Sequence, residues 1–223
     1  MKPHLLEVTR TARYFQLGPE SGPVEELWIG LHGYAQLAAR FLRWLAPLDD
    51  GATRVVAPEA LSRFYLETRM DGHHGPAIGA TWLTREHREA DLTDHLRFLD
   101  RLAARLLSGG SDRSRVTLLG FSQGSVMATR WLVAGGLRPD RVVLWGAPLP
   151  RDVAPAQLAG ALGQTPVLII AGNTDPYATP GSIEENAATL LAAGAQVEAR
   201  RYPGGHGIPA PVLLDVAGRP GGG

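Results

Sequence analysis

Short apolar segments alternate with longer helical segments along most of this chain of 223 residues. Six of the short segments are predicted to be strands, namely residues 27–31, 54–57, 116–121, 142–145, 167–171 and 197–202. Several of them are continuously apolar, which is typical of parallel strands that helices cover on both faces. The alternation therefore predicts an α/β fold with a mostly parallel, doubly wound sheet and helices on both faces.

Between the strands, apolar side chains recur at the three- and four-residue spacing of helices. The spacing predicts helices over residues 37–48, about 86–107, 125–133 and 182–194, with a short last helix at 211–217. Ser182 and Glu185 have the spacing of a capping box at the start of their helix. Residues 5–17 are expected to add one or two antiparallel strands at the sheet edge.

Three regions define the predicted organisation of the chain. Residues 1–217 are expected to form a single domain. Residues 61–84 interrupt the alternation with aromatic side chains and scattered glycines. They are expected to form a loop insertion near the functional site, because long loops in compact domains are often functional. Residues 218–223, rich in glycine, are expected to be a disordered tail.

Charge and cysteine content exclude several classes of function. The formal net charge is +0, so we expect no binding to nucleic acid, which requires a clustered basic surface. The chain has no cysteine, which excludes disulfides, a thiolate nucleophile and cysteine-based metal sites. No segment approaches the roughly 20 apolar residues of a membrane span. The first residues lack the apolar stretch of a secretory signal, so a cytoplasmic protein is expected.

Residues 120–124, with the sequence Gly-Phe-Ser-Gln-Gly, match the G-x-S-x-G pattern of a nucleophile elbow. In such an elbow the serine lies on a strained turn between a strand and a helix, and the flanking glycines allow close backbone packing. A predicted strand precedes Ser122 and a predicted helix follows it. We therefore interpret Ser122 as the nucleophile of a serine hydrolase, with an ordinary glycine-flanked turn as the alternative.

A histidine and an acid complete such a site, and in α/β-hydrolases the chain order is nucleophile, acid, histidine. His206 is the only histidine after Ser122, and it lies in a glycine-rich loop beyond the last predicted strand. Asp175 follows the strand at 167–171 by a short loop, at the edge of the sheet where active sites form. Asp152 also follows a strand and is the second candidate for the acid.

Acyl transfer also requires two N–H donors for the developing oxyanion. One is expected from the backbone of Gln123, directly after the nucleophile, and this role does not require its side chain. The other is expected from the loop that follows the first parallel strand, where Leu-His-Gly at residues 31–33 supplies a tight turn. His32 is interpreted as a structural hydrogen-bonding residue, because His206 has the better position for a base.

With these motifs the chain resembles the phospholipase/carboxylesterase family of α/β-hydrolases, which includes acyl-protein thioesterases. The motifs are Leu-His-Gly at 31–33, Gly-Phe-Ser-Gln-Gly at 120–124, Asp-Pro at 175–176 and Gly-His at 205–206. The resemblance implies the α/β-hydrolase fold and a catalytic triad of Ser122, Asp175 and His206. It implies an oxyanion hole formed by the backbone N–H groups of Tyr34 and Gln123. It also implies hydrolysis of carboxylic esters or thioesters without a metal or an organic cofactor.

The chain differs from the family pattern at Tyr34-Ala35-Gln36, where Leu-Gly-Asp is usual, and at residues 61–84. The differences argue against depalmitoylation of proteins. No segment is long enough for a large separate lid domain, so the expected substrate is a small ester or thioester with a short-to-medium acyl chain. Four aromatic side chains are candidates for lining the acyl pocket, namely Phe64, Tyr65, Trp82 and Tyr177.

Other interpretations of the sequence are weaker. Asp71, His73 and His74 suggest a metal site, but adjacent histidines rarely bind one ion without a spaced third ligand, so we expect no metal. His87 and His95 are expected on a charged, solvated helix face. A non-catalytic ligand-binding protein on a hydrolase scaffold is the alternative from another class. A peptidase or a lactonase on the same fold also stays open, as does a monomer or a homodimer.

Overall fold

The computed structural model describes residues 2, 4–66, 77–108, 114–179 and 181–219. The strands are β1 (Tyr14–Leu17), β2 (Glu26–Leu31), β3 (Arg54–Pro58), β4 (Ser62–Tyr65), β5 (Ile78–Thr81), β6 (Arg115–Phe121), β7 (Arg141–Trp145), β8 (Val167–Gly172) and β9 (Val197–Tyr202). The helices are α1 (Ala38–Leu45), α2 (Arg88–Leu107), α3 (Gln123–Ala134), α4 (Pro155–Leu162), α5 (Ser182–Ala192) and α6 (Ala210–Val216), with a 3₁₀ turn at Ala46–Leu48.

Seven strands form the main sheet in the order β1-β3-β2-β6-β7-β8-β9. All neighbouring strands are parallel except β1, which pairs antiparallel with β3 at the edge. The predicted mostly parallel α/β sheet is therefore confirmed, and each of the six predicted strands is present to within one residue at either end. Of residues 5–17, only Tyr14–Leu17 form a strand.

Helices cover both faces of this sheet, as predicted. Leu118 of β6 belongs to an apolar cluster with Leu99 of α2 and Trp131 of α3. The next residue along the strand, Leu119, belongs to a second cluster on the opposite face, with Phe41 of α1 and Leu213 of α6. Successive side chains of a strand point to opposite faces, so a continuously apolar strand fills both cores.

The predicted loop insertion at residues 61–84 contains regular structure. β4 and β5 pair antiparallel, with Ser62 opposite Thr81 and Tyr65 opposite Ile78. These strands have only four residues each and form a separate two-stranded sheet. Asp71, His73 and His74, the residues considered for a metal site, lie outside the described residues.

Two predictions about helix and chain ends are wrong. Ser182 does not form a capping box, because Gly181 occupies the N-cap position and the Ser182 hydroxyl donates to the carbonyl of Thr179. The disordered tail does not begin at Gly218. The Gly218 N–H donates to the carbonyl of Asp215, and the Arg219 guanidinium donates to Glu26 at 3.0 Å.

α4 is absent from the sequence prediction, because its apolar residues cover barely two turns. None of the helices in the described residues is long and apolar enough to cross a membrane. The single domain over residues 1–217 stays a prediction.

Candidate active site

Ser122 lies between β6 and α3 on a strained turn. Its backbone has φ 54° and ψ −121°, a region that residues with a side chain rarely adopt and that is often found at functional sites. The Ser122 N–H donates to the carbonyl of Trp145 at 2.7 Å. The Ser125 hydroxyl donates to the carbonyl of Gly120 at 2.6 Å and accepts from the Trp145 N–H at 3.0 Å. These bonds fix the turn against β7.

The two glycines of the motif are required by close backbone contacts. A Cβ atom on Gly120 would lie 2.5 Å from the Cα of Ser125. A Cβ atom on Gly124 would lie 2.0 Å from the carbonyl oxygen of Leu31, at the end of β2. Because both obstacles are backbone atoms, any larger residue would displace the helix from the sheet.

His206 and Asp175 are hydrogen-bonded to each other. The distance from His206 Nδ1 to Asp175 Oδ2 is 2.8 Å, and the Asp175 side chain is fully buried while that of His206 is 20% exposed. The second carboxylate oxygen accepts from the N–H groups of Tyr177 at 2.9 Å and Ala178 at 3.3 Å. Since an ionised carboxylate only accepts, Nδ1 carries the imidazole proton, and Nε2 is the acceptor in neutral His206.

The loops that carry His206 and Asp175 are fastened together. The Tyr202 hydroxyl accepts from Trp145 Nε1 at 3.1 Å and donates to the carbonyl of Gly207 at 2.6 Å. The Thr174 N–H donates to the carbonyl of Gly204 at 3.0 Å. These contacts join the ends of β7, β8 and β9 around the histidine.

The imidazole of His206 lies beside the serine turn. Its ring centroid is 4.6 Å from that of Phe121, the residue before Ser122. Gly146 has φ +69°, and a Cβ atom there would lie 3.1 Å from His206 Cε1 and 3.2 Å from Asp175 Oδ2. The glycine after β7 therefore leaves the space that the histidine and the aspartate occupy.

The loop after β2 passes close to Ser122. A Cβ atom on Gly33 would lie 3.2 Å from the Cβ of Ser122. The next residue is Tyr34, and its N–H donates to no other residue in the described part of the chain. The same holds within those residues for the N–H of Gln123, the first residue of α3. Two N–H groups without a protein acceptor beside a serine are what an oxyanion hole requires.

His32 is bound on both ring nitrogens by backbone groups. Nδ1 donates to the carbonyl of Gly33 at 2.8 Å, and Nε2 accepts from the N–H of Ala60 at 3.0 Å. Burial lowers the pKa of His32 to about 4, although the hydrogen bond to Gly33 opposes this shift. His32 is therefore neutral near pH 7 and has the structural bonds that the sequence interpretation assigned to it.

His95 is not on a solvated helix face, so that prediction is wrong. Its side chain is buried, Nδ1 donates to the carbonyl of Asp91 at 2.7 Å, and Nε2 accepts from the N–H of Leu61 at 2.9 Å. The helix face that the sequence marks as charged is covered here by the segment leading into β4.

Asp152, the second candidate for the acid, pairs with two arginines. Its oxygens lie 2.6 Å from Arg130 Nη2 and 2.9 Å from Arg88 Nη2. Burial would raise the pKa of Asp152, but the hydrogen bonds from these arginines outweigh it and the pKa is lowered. The hydrogen-bond partner of His206 is Asp175, and Asp152 is engaged elsewhere.

Among the four aromatic side chains considered for the pocket, three reach solvent. Tyr177 is 67% exposed, and its ring centroid is 4.7 Å from that of His206. Phe64 is partly buried at 5.4 Å from the ring of Tyr34, which is 59% exposed. Tyr65 is also 67% exposed.

Trp82, the fourth aromatic residue, does not line a surface pocket. It is 0% exposed, and its Nε1 donates to the carbonyl of His32 at 2.8 Å. Its alternative role as a core residue is therefore the correct one, because the indole fills the space between the β2 loop and α2.

Three supporting residues carry no signal in the sequence. Ser125, Gly146 and Tyr202 act through contacts with residues distant along the chain. Each lies at the start or the end of a predicted element or directly after one, but a serine, glycine or tyrosine at such a position is common. Only the spatial arrangement identifies them.

Solved structures with the same fold include esterases and a thioesterase. Esterase PE8 is 25% identical, with a TM-score of 0.68 over 93% of this chain and 96% of that chain. The Bacillus cereus carboxylesterase is 20% identical, with a TM-score of 0.65 over 92% and 91% of the two chains. Zea mays acyl-protein thioesterase 2 is 17% identical, with a TM-score of 0.65 over 93% and 96%.

A comparison with curated protein sequences gives no match. The family model described as phospholipase/carboxylesterase matches residues 19–217, which is most of the chain. By this match, the chain belongs to the phospholipase/carboxylesterase family of hydrolases.

Proposed function

We propose that this protein is a serine esterase that cleaves small carboxylic esters or thioesters through an acyl-serine intermediate. The observation that carries the proposal is the 2.8 Å hydrogen bond between Asp175 and His206 beside the strained Ser122 turn. In this arrangement Asp175 orients the imidazole and stabilises its charged form, while Nε2 of His206 serves as the base.

The proposed reaction has two steps. His206 Nε2 takes the proton of the Ser122 hydroxyl as Oγ attacks the carbonyl carbon, and the resulting imidazolium then protonates the leaving alcohol or thiol. In the second step water attacks the carbonyl carbon of the acyl-serine while His206 Nε2 takes its proton. The imidazolium then returns this proton to Ser122 Oγ as the bond between Oγ and the acyl carbon breaks, which releases the carboxylic acid and the free serine.

In this mechanism the backbone N–H groups of Tyr34 and Gln123 donate hydrogen bonds to the carbonyl oxygen and stabilise the negative charge that develops on it. Loss of one such donor in a serine hydrolase costs roughly 3 to 4 kcal/mol of transition-state stabilisation. Gln123 is also the first residue of α3, so the positive end of the helix dipole favours the same charge. Neither the oxyanion nor the acyl transfer requires a metal ion in this scheme.

We assign short-to-medium acyl chains to the substrate. The exposed ring of Tyr177 lies beside His206, and Phe64 lies beside the exposed ring of Tyr34, in the loop that passes close to Ser122. Such partly apolar surface suits a small acyl or aromatic group. We expect soluble short-chain esters to be hydrolysed with a higher kcat/KM than emulsified long-chain lipids, and faster hydrolysis of the emulsified lipids would contradict this assignment.

The test of the nucleophile compares three purified proteins on a short-chain chromogenic ester and on a matched thioester. They are the wild type, Ser122→Ala, and Ser21→Ala as a surface control. We expect Ser122→Ala to lower kcat by at least about 10⁴-fold, because removal of a triad nucleophile has effects of that order or larger. Ser21→Ala should retain the wild-type rate.

A Ser122→Ala protein with near wild-type turnover would contradict the proposal. A folded wild type with no turnover on either substrate would favour the non-catalytic ligand-binding protein instead.

A further inference from the structure

The β5 strand is bonded to the loop that supplies the first proposed oxyanion donor. The Ala35 N–H donates to the carbonyl of Ala80 at 2.9 Å, and the Ala80 N–H donates to the carbonyl of Gln36 at 3.2 Å. A Cβ atom on Gly79 would lie 2.6 Å from the carbonyl oxygen of Ala35. The loop around Tyr34 is therefore fixed against β5 by two hydrogen bonds and a close backbone contact.

The segment that follows this strand is bonded to the side chain of Gln123, which supplies the second proposed donor through its backbone. Oε1 of Gln123 accepts from the N–H of Trp82 at 3.0 Å. Nε2 donates to the carbonyl of Leu83 at 2.9 Å and to the hydroxyl of Thr81 at 3.0 Å. The Thr81 hydroxyl donates in turn to the Leu83 carbonyl at 3.0 Å.

These bonds use both amide protons and the carbonyl oxygen of the Gln123 side chain. Amide groups of this kind also serve as oxyanion donors in some serine hydrolases, but here the amide is committed to the protein. The side chain therefore acts as a connection between two segments of the protein. It connects the start of α3 with residues 81–83, the continuation of the strand that holds the Tyr34 loop.

We infer that Gln123 is a positioning residue whose side chain, through Thr81 and the end of β5, sets the separation of the two oxyanion donors. The inference rests on the proposed esterase function. The two N–H groups belong to different elements, the loop after β2 and the start of α3, and the end of β5 contacts both. Donors must be placed within about 0.5 Å of the productive geometry to stabilise a transition state.

The expected effect is selective for the transition state. Loss of a whole oxyanion donor lowers kcat by about 10²–10³-fold. A donor that is retained but less well placed should lower kcat by about 10- to 100-fold, while KM changes by less than about threefold, because ground-state binding does not depend on the oxyanion.

The test uses Gln123→Met, which keeps the length of the side chain and removes its hydrogen bonds. Each protein is titrated with a fluorophosphonate to give the concentration of competent sites. We then measure kcat and KM on the short-chain ester, and Ki for a trifluoromethyl ketone that places an oxyanion in the hole as a hemiketal. In Gln123→Met, Ki should rise by the same factor by which kcat/KM falls.

Thr81 supplies a matched pair of variants at a residue that is 3% exposed. Thr81→Val removes the hydroxyl with little change in shape, and we expect a smaller loss of kcat with a parallel rise in Ki. Thr81→Ser retains the hydroxyl and should restore both values to within about twofold of wild type. If Gln123→Met does not fold, this pair decides the question.

Kinetic constants and Ki within about twofold of wild type in Gln123→Met would overturn the inference while leaving the esterase function intact. A lower kcat per competent site with an unchanged Ki would also overturn it. That result would mean that the substitution disturbs the protein without changing how the oxyanion is bound, which is what a merely structural role predicts. If Thr81→Val matches Thr81→Ser, the proposed connection through Thr81 is wrong. An inactive wild type would instead overturn the proposed function, and the inference with it.

Discussion

At the scale of single residues, the order of residues along the chain leaves two aspartates as candidates for the catalytic acid. Asp152 and Asp175 both follow strands of the parallel sheet, so both satisfy the order of nucleophile, acid and histidine. The structure separates them by their partners, since Asp175 is hydrogen-bonded to His206 and Asp152 to Arg88 and Arg130. The second oxygen of Asp175 also accepts two backbone N–H groups, so its orientation is fixed independently of the histidine.

This difference predicts unequal effects of two equivalent substitutions. Asp175→Asn should lower kcat by about 10⁴-fold, because an amide at this position stabilises the wrong tautomer of the imidazole. Asp152→Asn should change kcat by less than about tenfold, since it removes only ion pairs at a partly exposed carboxylate. Steady-state kinetics on the short-chain ester measure both, and a larger loss in Asp152→Asn would move the acid role to Asp152.

At the scale of elements, the serine turn depends on how closely α3 approaches β2. The Gly124 position faces the carbonyl oxygen of Leu31, and the β2 loop begins at the next residue. A methyl group on Gly124 would have to push apart the two elements that supply the proposed oxyanion donors. We therefore expect packing at this junction to affect catalysis as well as stability.

Gly124→Ala is expected to lower both the free energy of unfolding, by about 1 to 3 kcal/mol as in other overpacked cores, and kcat. Gly160→Ala is the matched control, because a Cβ atom on Gly160 in α4 meets no atom within 4 Å. That control should raise stability by roughly 0.5 to 1 kcal/mol, the ordinary gain from replacing a helical glycine. Chemical denaturation measures the free energy of unfolding of the two variants, and steady-state kinetics measure kcat. Equal effects of the two variants on stability would show that close packing at Gly124 is not the cause.

The elements also show where sequence information is sufficient. The parallel strands were predictable because β6 and β8 are apolar on both faces, a pattern that does not depend on the partner strand. β4 and β5 were not, because each has four residues with mixed exposure and is defined by pairing with the other. α4 has only Leu158, Ala159 and Leu162 as buried residues, too few for a helical period.

In the candidate site, too, some contacts were predictable from the sequence and others were not. The sheet topology places the loops after β8 and β9 side by side, so the contact between Asp175 and His206 was predictable from their positions after those strands. Their catalytic roles stay a prediction. The bonds that join the side chain of Gln123 to Leu83 and that of Ser125 to Trp145 were not predictable, because these partners lie 40 and 20 residues away along the chain. Such contacts depend on tertiary packing rather than on local pattern.

At the scale of the whole molecule, two buried histidines join the segments behind the site. The Nε2 atoms of His32 and His95 accept from the consecutive N–H groups of Ala60 and Leu61. Trp82 lies between the two imidazoles, with ring centroids 5.0 Å and 5.3 Å away. Burial lowers the pKa of both histidines. Protonation of either one would replace an accepting nitrogen by a donor and break a backbone hydrogen bond.

These pKa shifts predict a loss of stability in mild acid. The pKa of His32 is about 4 in the folded protein and near 6.5 when unfolded, so between these values the unfolded state binds more protons. The free energy of unfolding should therefore fall as the pH decreases from 6.5 to 4, with a contribution from His32 on the order of 3 kcal/mol. Urea denaturation at several pH values measures it.

His32→Gln removes this titration, and His87→Gln is the control at an exposed histidine. Between pH 7 and pH 4, His32→Gln should lose about 3 kcal/mol less stability than wild type, whereas His87→Gln should follow the wild-type curve. Identical pH dependence in all three proteins would show that His32 is not the buried titrating group.

We propose that Ser122 is the nucleophile of an acyl-transfer site. The most direct measurement is mass spectrometry of the peptides from protein treated with a fluorophosphonate, for wild type and Ser122→Ala. We expect one stoichiometric phosphonyl adduct in the wild type, on the peptide that contains Ser122, and none in the variant. An adduct on another serine, or labelling that persists in Ser122→Ala, would contradict it.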